Sequence, residues 1–209
     1  MQSENLFTHN YQIESNAPLA DKLRPKNLED FFGQESILKN NSLLRNAILY
    51  DKVGNFIFSG PPGVGKTTLI EIISAYTRSK LIRLNAVLSS IKELRNEITN
   101  AKERLISTNR KTILFIDEVH RFTAVQQDAL LPSIENGTIT FIGATTENPF
   151  FAVNKALISR SRVFTLLPLE EKDLKKIIKK VITHYSNLDR KSTRLNSSHL
   201  LISRMPSSA

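Results

Sequence analysis

Residues 56–68 (FIFSGPPGVGKTT) set a short apolar strand pattern directly before a GxxxxGKT loop, with a helix-forming run directly after it. This segment constrains the chain more than any other, because such a loop needs a strand to launch it and a helix to receive it. Glycines at Gly60, Gly63 and Gly65 let the backbone curl so that successive N–H groups face phosphate oxygens, and the positive end of the helix starting near Lys66 adds to the attraction. Lys66 is expected to reach the β- and γ-phosphates of a nucleoside triphosphate such as ATP. Thr67 is expected to offer its hydroxyl to Mg2+ and Thr68 to lie close to the α-phosphate, with Pro61, Pro62 and Val64 completing the cradle.

The remaining pattern suits that unit. Apolar, β-branched runs recur at Leu81–Leu84, Thr112–Ile116, Ile139–Ala144 and Val163–Leu166, with amphipathic stretches between them. Five strands alternating with helices predict an α/β fold, a mostly parallel sheet with helices on both faces. Ile91, Leu94, Ile98, Ala101 and Leu105 fall on one helix stripe. Residues 170–185 form a further helical pattern after Pro168, with Leu174, Ile177, Ile178, Val181 and Ile182 on its apolar face, acids first and lysines later.

A second chemical element is ILFIDE, residues 113–118, an apolar strand ending in two acids at the edge where ligands of open α/β sheets bind. Asp117 is expected to hold Mg2+ through water and Glu118 to orient the attacking water, because phosphoryl transfer depends on positioning and charge stabilisation. Taken alone, the pair is also what a strand stop with solvated acids looks like.

Composition narrows the function classes. With 209 residues, 40% hydrophobic and 23% charged, the chain can bury one core and begin a second domain. The absence of cysteine excludes disulfides, thiolate zinc sites and cysteine nucleophiles. No apolar run approaches the roughly 20 residues of a membrane span, and the start is too polar for a signal peptide, so the expectation is a cytoplasmic protein without a membrane partner. The net charge of +9 favours polyanions, but four basic residues against one acid in 189–209 supply +3 of it, leaving +6 for 1–188.

That terminal segment has its own reading. DRKSTRLNSSH matches, codon by codon, the translation of a widely used sequencing-library adapter, and SRMPSSA resembles its continuation. Residues 189–209 are therefore expected to be non-native, with the natural chain continuing differently after about Leu188. The expected organisation is a flexible segment over 1–17, an ATPase core over 18–167 and the start of a helical lid over 168–188.

PLADKLRPKNLEDFFGQE (18–35) and IDEVHRFTAVQQDALLPSIENGTITFIGATTENPFFAVNKALISRSRVF (116–164) resemble the AAA+ ATPases, within them the replication-associated recombination group that includes the Werner-helicase-interacting protein. Val64 and Phe150 depart from that pattern without removing a chemical group. The resemblance implies ATP hydrolysis with Mg2+, acting on DNA at stalled or damaged replication forks in the nucleoid of a bacterium. It implies a homotetramer, and as partners single-stranded DNA ends, single-strand-binding protein and other replication factors. It assigns Thr146 to sensing the γ-phosphate and Arg160 to an arginine finger entering a neighbouring subunit's site, with Arg162 the lesser candidate. Phe32, Gly33 and Gln34 resemble the stretch that receives the adenine, with Leu23, Arg24 and Pro25 alongside. His120 reads as a surface or helix-start residue, and Gln126, Gln127 and Asp128 as a solvated helix face. A Holliday-junction branch-migration motor, a clamp-loader-type ATPase and a fragment that only binds nucleotide are the alternatives.

Overall fold

The computed structural model describes residues 23–183. The expected flexible start and the adapter-like tail lie outside the described residues. The described residues divide into two compact units, Arg24–Leu169 and a second to which residues 170–183 belong.

In the first unit the order is α1 (Glu35–Leu38), α2 (Leu43–Leu49), β1 (Phe56–Ser59), α3 (Lys66–Tyr76), β2 (Lys80–Asn85), α4 (Ile91–Thr108), β3 (Thr112–Asp117) and a 3-10 turn (Val119–Arg121). It continues with α5 (Ala124–Asp128), α6 (Leu131–Glu135), β4 (Ile139–Thr145), α7 (Pro149–Ala152), α8 (Lys155–Ser159) and β5 (Arg162–Thr165). The strands form one sheet in the order β2-β3-β4-β1-β5, and all four pairings are parallel. Every strand anticipated from the sequence is present, with ends shifted by at most one residue.

Alternation along the strands sorts side chains to two faces. Phe56, Phe58, Ile113, Phe115, Ile142 and Ala144 pack with Leu69, Ile70 and Ile73 of α3 and with Leu44 and Ile48 of α2. Ile57, Leu114, Ile116, Ile139 and Phe141 face the other way, against Leu94 and Ala101 of α4 and Leu157 of α8. Phe164 joins β5 to β1, edge-on to Phe56 at 5.2 Å and stacked on Phe58 at 5.8 Å between ring centres.

Helix ends are closed by short polar side chains. Ser90 caps α4 by accepting from the Glu93 N–H, and Thr123 and Gln126 form a reciprocal capping box on α5. Asn154 accepts from the Ala156 N–H at the start of α8.

In the second unit a helix, α9, runs over 171–183. Leu174, Ile178 and Ile182 are exposed on it. Among the described residues no helix is long and apolar enough to cross a membrane.

Candidate active site

The loop after β1 begins with Gly60, whose N–H bonds the Thr145 carbonyl, and ends at Gly65 with φ 96°, the left-handed residue that opens α3. A Cβ on Gly65 would stand 2.9 Å from the Phe31 ring, so both backbone conformation and space call for glycine there. Phe31, in the 18–35 segment, therefore packs beside the phosphate loop.

A recess of about 340 Å³ is lined by Pro62, Gly63, Gly65, Lys66, Thr67, Thr68, Asp117, Glu118, Thr146 and Arg24. Strands β1, β3 and β4 thus bring the loop from Pro62 onward into one recess with Thr146, 84 positions further along the sequence. Lys66 donates from Nζ to the carbonyls of Gly60 and Pro61, at 2.7 and 2.9 Å. Its burial holds the ammonium below the usual lysine range, although Glu118 and Asp117 pull the other way. Asp117 is raised above the usual carboxylate range, first by burial and then by the Glu118 charge, against the Glu118 N–H bond and Lys66.

Adjacent residues of a strand normally point to opposite faces. Asp117 and Glu118 nevertheless line the same recess, because Glu118 leaves the strand with φ 53° and ψ 47°, a left-handed residue that opens the 3-10 turn. The Glu118 N–H donates to Asp117 Oδ1 at 3.1 Å. Thr146 Oγ1 donates to Glu118 Oε2 at 3.3 Å, joining the ends of β3 and β4.

Among the described residues no group of three or more His, Cys, Asp or Glu side chains could hold a metal ion. Oxygen donors of the recess such as Thr67 and Asp117 instead suit a hard cation that brings most of its own oxygens, as Mg2+ does on nucleotide phosphates. A divalent cation would also offset the Glu118 charge that, after burial, raises Asp117.

Other expected site residues lie elsewhere. Gly60 and Pro61 face Lys66 through their carbonyls, and Val64 is buried in the core, so of its side chain and backbone only the backbone can meet a ligand. Phe32, Gly33 and Gln34 do not line the recess. The Gln34 side chain is bonded both ways to Leu167, its amide donating to the carbonyl at 2.6 Å and its oxygen accepting from the N–H at 2.9 Å. That amide is occupied in tying the segment before α1 to the end of β5. Arg24 lines the recess and pairs with Glu71, which also pairs with Arg83.

Arg160 lies at the end of α8, where it pairs with Glu135 at 2.6 Å and donates to the Ala156 carbonyl. It is not among the residues lining its own chain's recess. Arg162 is exposed at the start of β5.

Two sequence readings are sharpened or corrected. Of the surface and helix-start readings of His120 the second holds, since it lies in the 3-10 turn Val119–Arg121 with its side chain only 5% exposed and touching Thr145, Glu118 and Glu147. Gln127 is buried, donating to the Phe122 carbonyl and accepting from the Asn154 N–H at 2.7 Å, so α5 does not present it to solvent. In both cases a distant partner, Thr145 and Glu147 for His120 and Asn154 for Gln127, is brought alongside by the fold, which neither segment spells out.

The profile of the family described as "ATPase family associated with various cellular activities (AAA)" matches residues 56–169. The chain is 47% identical over 176 residues to replication-associated recombination protein A of Haemophilus influenzae, covering 84% of this chain and 39% of that one. Against the protein of the same name from Escherichia coli K12 the identity is 48%, over 77% of this chain and 36% of the relative. ATPase WRNIP1 of Dictyostelium discoideum is 43% identical, over 84% of this chain and 20% of its own. The chain thus spans well under half the length of these relatives. Among solved structures the Thermotoga maritima RuvB Holliday junction branch migration motor superposes with a TM-score of 0.66 at 32% identity, covering 78% of this chain and 55% of that one. The chain belongs to the AAA family of ATPases, within its replication-associated recombination protein A and WRNIP1 group.

Proposed function

We propose that this chain carries the Mg2+-dependent ATP-hydrolysing core of an oligomeric motor that acts on DNA at stalled or damaged replication forks. The observation that carries the ATPase reading is the single recess in which Lys66, Thr67, Asp117, Glu118 and Thr146 converge from three strands. The loop's backbone and Lys66 bind the triphosphate, Lys66 exchanging its two carbonyl partners for phosphate oxygens. Thr67 and Asp117 would hold the Mg2+, which supplies charge neutralisation on the phosphates. Glu118, tethered to Thr146, orients a water toward the γ-phosphate. Arg160, outside its own recess, completes a neighbour's site and stabilises charge in the transition state.

The work on DNA, the tetramer and the partnership with single-strand-binding protein rest on likeness to relatives much longer than this chain. A branch-migration motor is the second reading, favoured by the RuvB superposition. Identities of 47–48% to the recombination proteins against 32% to RuvB support the first.

The test is ATP turnover and nucleotide affinity of the intact protein, with and without single-stranded DNA. Lys66→Ala is expected to lose binding, and Glu118→Gln to keep binding while hydrolysis falls at least about 100-fold. Turnover in Glu118→Gln equal to wild type would remove Glu118 from its role, and a protein whose turnover ignores DNA would remove the proposed task.

A further inference from the structure

The ends of β3 and β4 are joined by a buried imidazole that the ATPase reading leaves without a task. His120 Nδ1 stands 2.9 Å from Thr145 Oγ1 and 3.3 Å from Glu118 Oε2, while Nε2 stands 3.3 Å from Glu147 Oε1. The ring is therefore held at both nitrogens, between the residue that follows Asp117 and the two residues that flank Thr146. Thr145 in turn accepts from the Glu147 N–H at 3.0 Å, closing the cluster on the β4 side.

Position separates His120 from direct chemistry. Beside the phosphate recess lies a second one of about 550 Å³, lined by Ala86, Val87, Glu118, His120, Arg121 and Thr146. Glu118 and Thr146 line both recesses, whereas His120 lines only the second. His120 can act on the triphosphate site only indirectly, most directly through the Glu118 carboxylate that it touches and that lines both recesses.

Glu118 needs such a partner. Its backbone has left the strand in a left-handed conformation, so no strand neighbour fixes its side chain, which is 31% exposed. The Thr146 contact alone, at 3.3 Å, leaves the carboxylate free to pivot about one bond. A second contact 3.3 Å away, from a ring that Thr145 and Glu147 also touch, would hold Oε2 in place with the proton on Nδ1.

We infer that His120 is a positioning residue: it braces the Glu118 carboxylate against the Thr145–Glu147 loop, so that the water-orienting acid and Thr146 move as one body. The inference rests on the proposed hydrolytic role of Glu118. Misplacing a positioned group by about 1 Å can cost on the order of 100-fold in rate without a matching loss of binding.

The experiment compares His120→Ala, His120→Asn and His120→Gln in the intact protein, reading kcat, ATP affinity and melting temperature. Asparagine keeps a polar atom near Nδ1 and loses reach to Glu147, whereas glutamine keeps one near Nε2. Alanine and glutamine are expected to lower kcat about 10-fold or more with affinity within about twofold, and asparagine to stay within about threefold of wild type. Unchanged kcat in the alanine variant, equal loss in all three, or affinity falling in step with kcat overturns the inference. A second measurement needs no turnover. With labelled histidine and no nucleotide, the His120 imidazole NMR signals, assigned by their absence in His120→Asn, are expected to shift in Glu118→Gln, and unmoved signals overturn the contact. If wild type itself does not hydrolyse ATP, the ATPase reading fails while the imidazole signals still judge the brace.

Discussion

Glu118 holds a backbone conformation that a β-carbon opposes, at a cost on the order of 1 kcal/mol, and in exchange two neighbouring carboxylates face one recess. Burial first, and then the repulsion between them, shows at Asp117, whose carboxyl holds its proton to higher pH in the folded chain than in the unfolded one. A raised carboxylate value means stability is lost as pH climbs from the ordinary carboxylate range through the raised value, and the penalty is full above it. Asp117→Asn removes it. Without nucleotide and Mg2+, that variant is expected to melt about 1–2 °C above wild type at pH 7, allowing for solvent screening, and level with it below about pH 4. Thermal scans at both pH values check this, and with Mg-ATP present the order is expected to reverse. At this scale Lys66, Thr67, Asp117 and Glu118 were legible because each lies inside a contiguous motif with its own chemistry. His120 was not, since its three partners belong to two strand ends that only tertiary structure sets side by side.

Elements were legible in proportion to their length. Helix α4 shows a full stripe, and Ile91, Leu94, Ile98, Ala101 and Leu105 are the positions its burial follows. Leu94→Ala is expected to destabilise the protein by about 2–5 kcal/mol, because the side chain is fully buried against β3 and β4. Ser90→Ala, which removes only the cap of the same helix, is expected to cost about 1 kcal/mol. Equal losses in denaturant titrations would mean the cap matters as much as the core. Helices α5 to α8 run four or five residues each, too short for a helical period to register, and their identity comes from side-chain anchors such as Asn154. Gln127 looked solvated for that reason. In the folded chain it receives the Asn154 N–H and so fixes the start of α8, the helix that ends at Arg160.

For the whole molecule, the parallel sheet could be read from alternating strands and helices, but the order β2-β3-β4-β1-β5 could not, because β1 inserts between two later strands. The placement of Arg160 likewise needed the fold. Asn55 donates to its carbonyl and also accepts from the Phe141 N–H, so the backbone under Arg160 is fastened to β4 while its guanidinium rests on Glu135. A finger acting between subunits makes a specific prediction. Lys66→Ala and Arg160→Ala are each expected to be inactive, yet co-assembled in equal amounts to recover about a quarter of the wild-type rate, from pairs in which one chain lends the arginine and the other the pocket. A mixture as inactive as its parts would mean that Arg160 serves its own chain. The bond to Glu135 has a consequence for the isolated chain: the cation it would lend rests on its own surface, outside its own recess, until a neighbour offers it a site. Hydrolysis should then be steeper than first order in protein, so that a dilute preparation looks like a poor enzyme while every chain in it is intact.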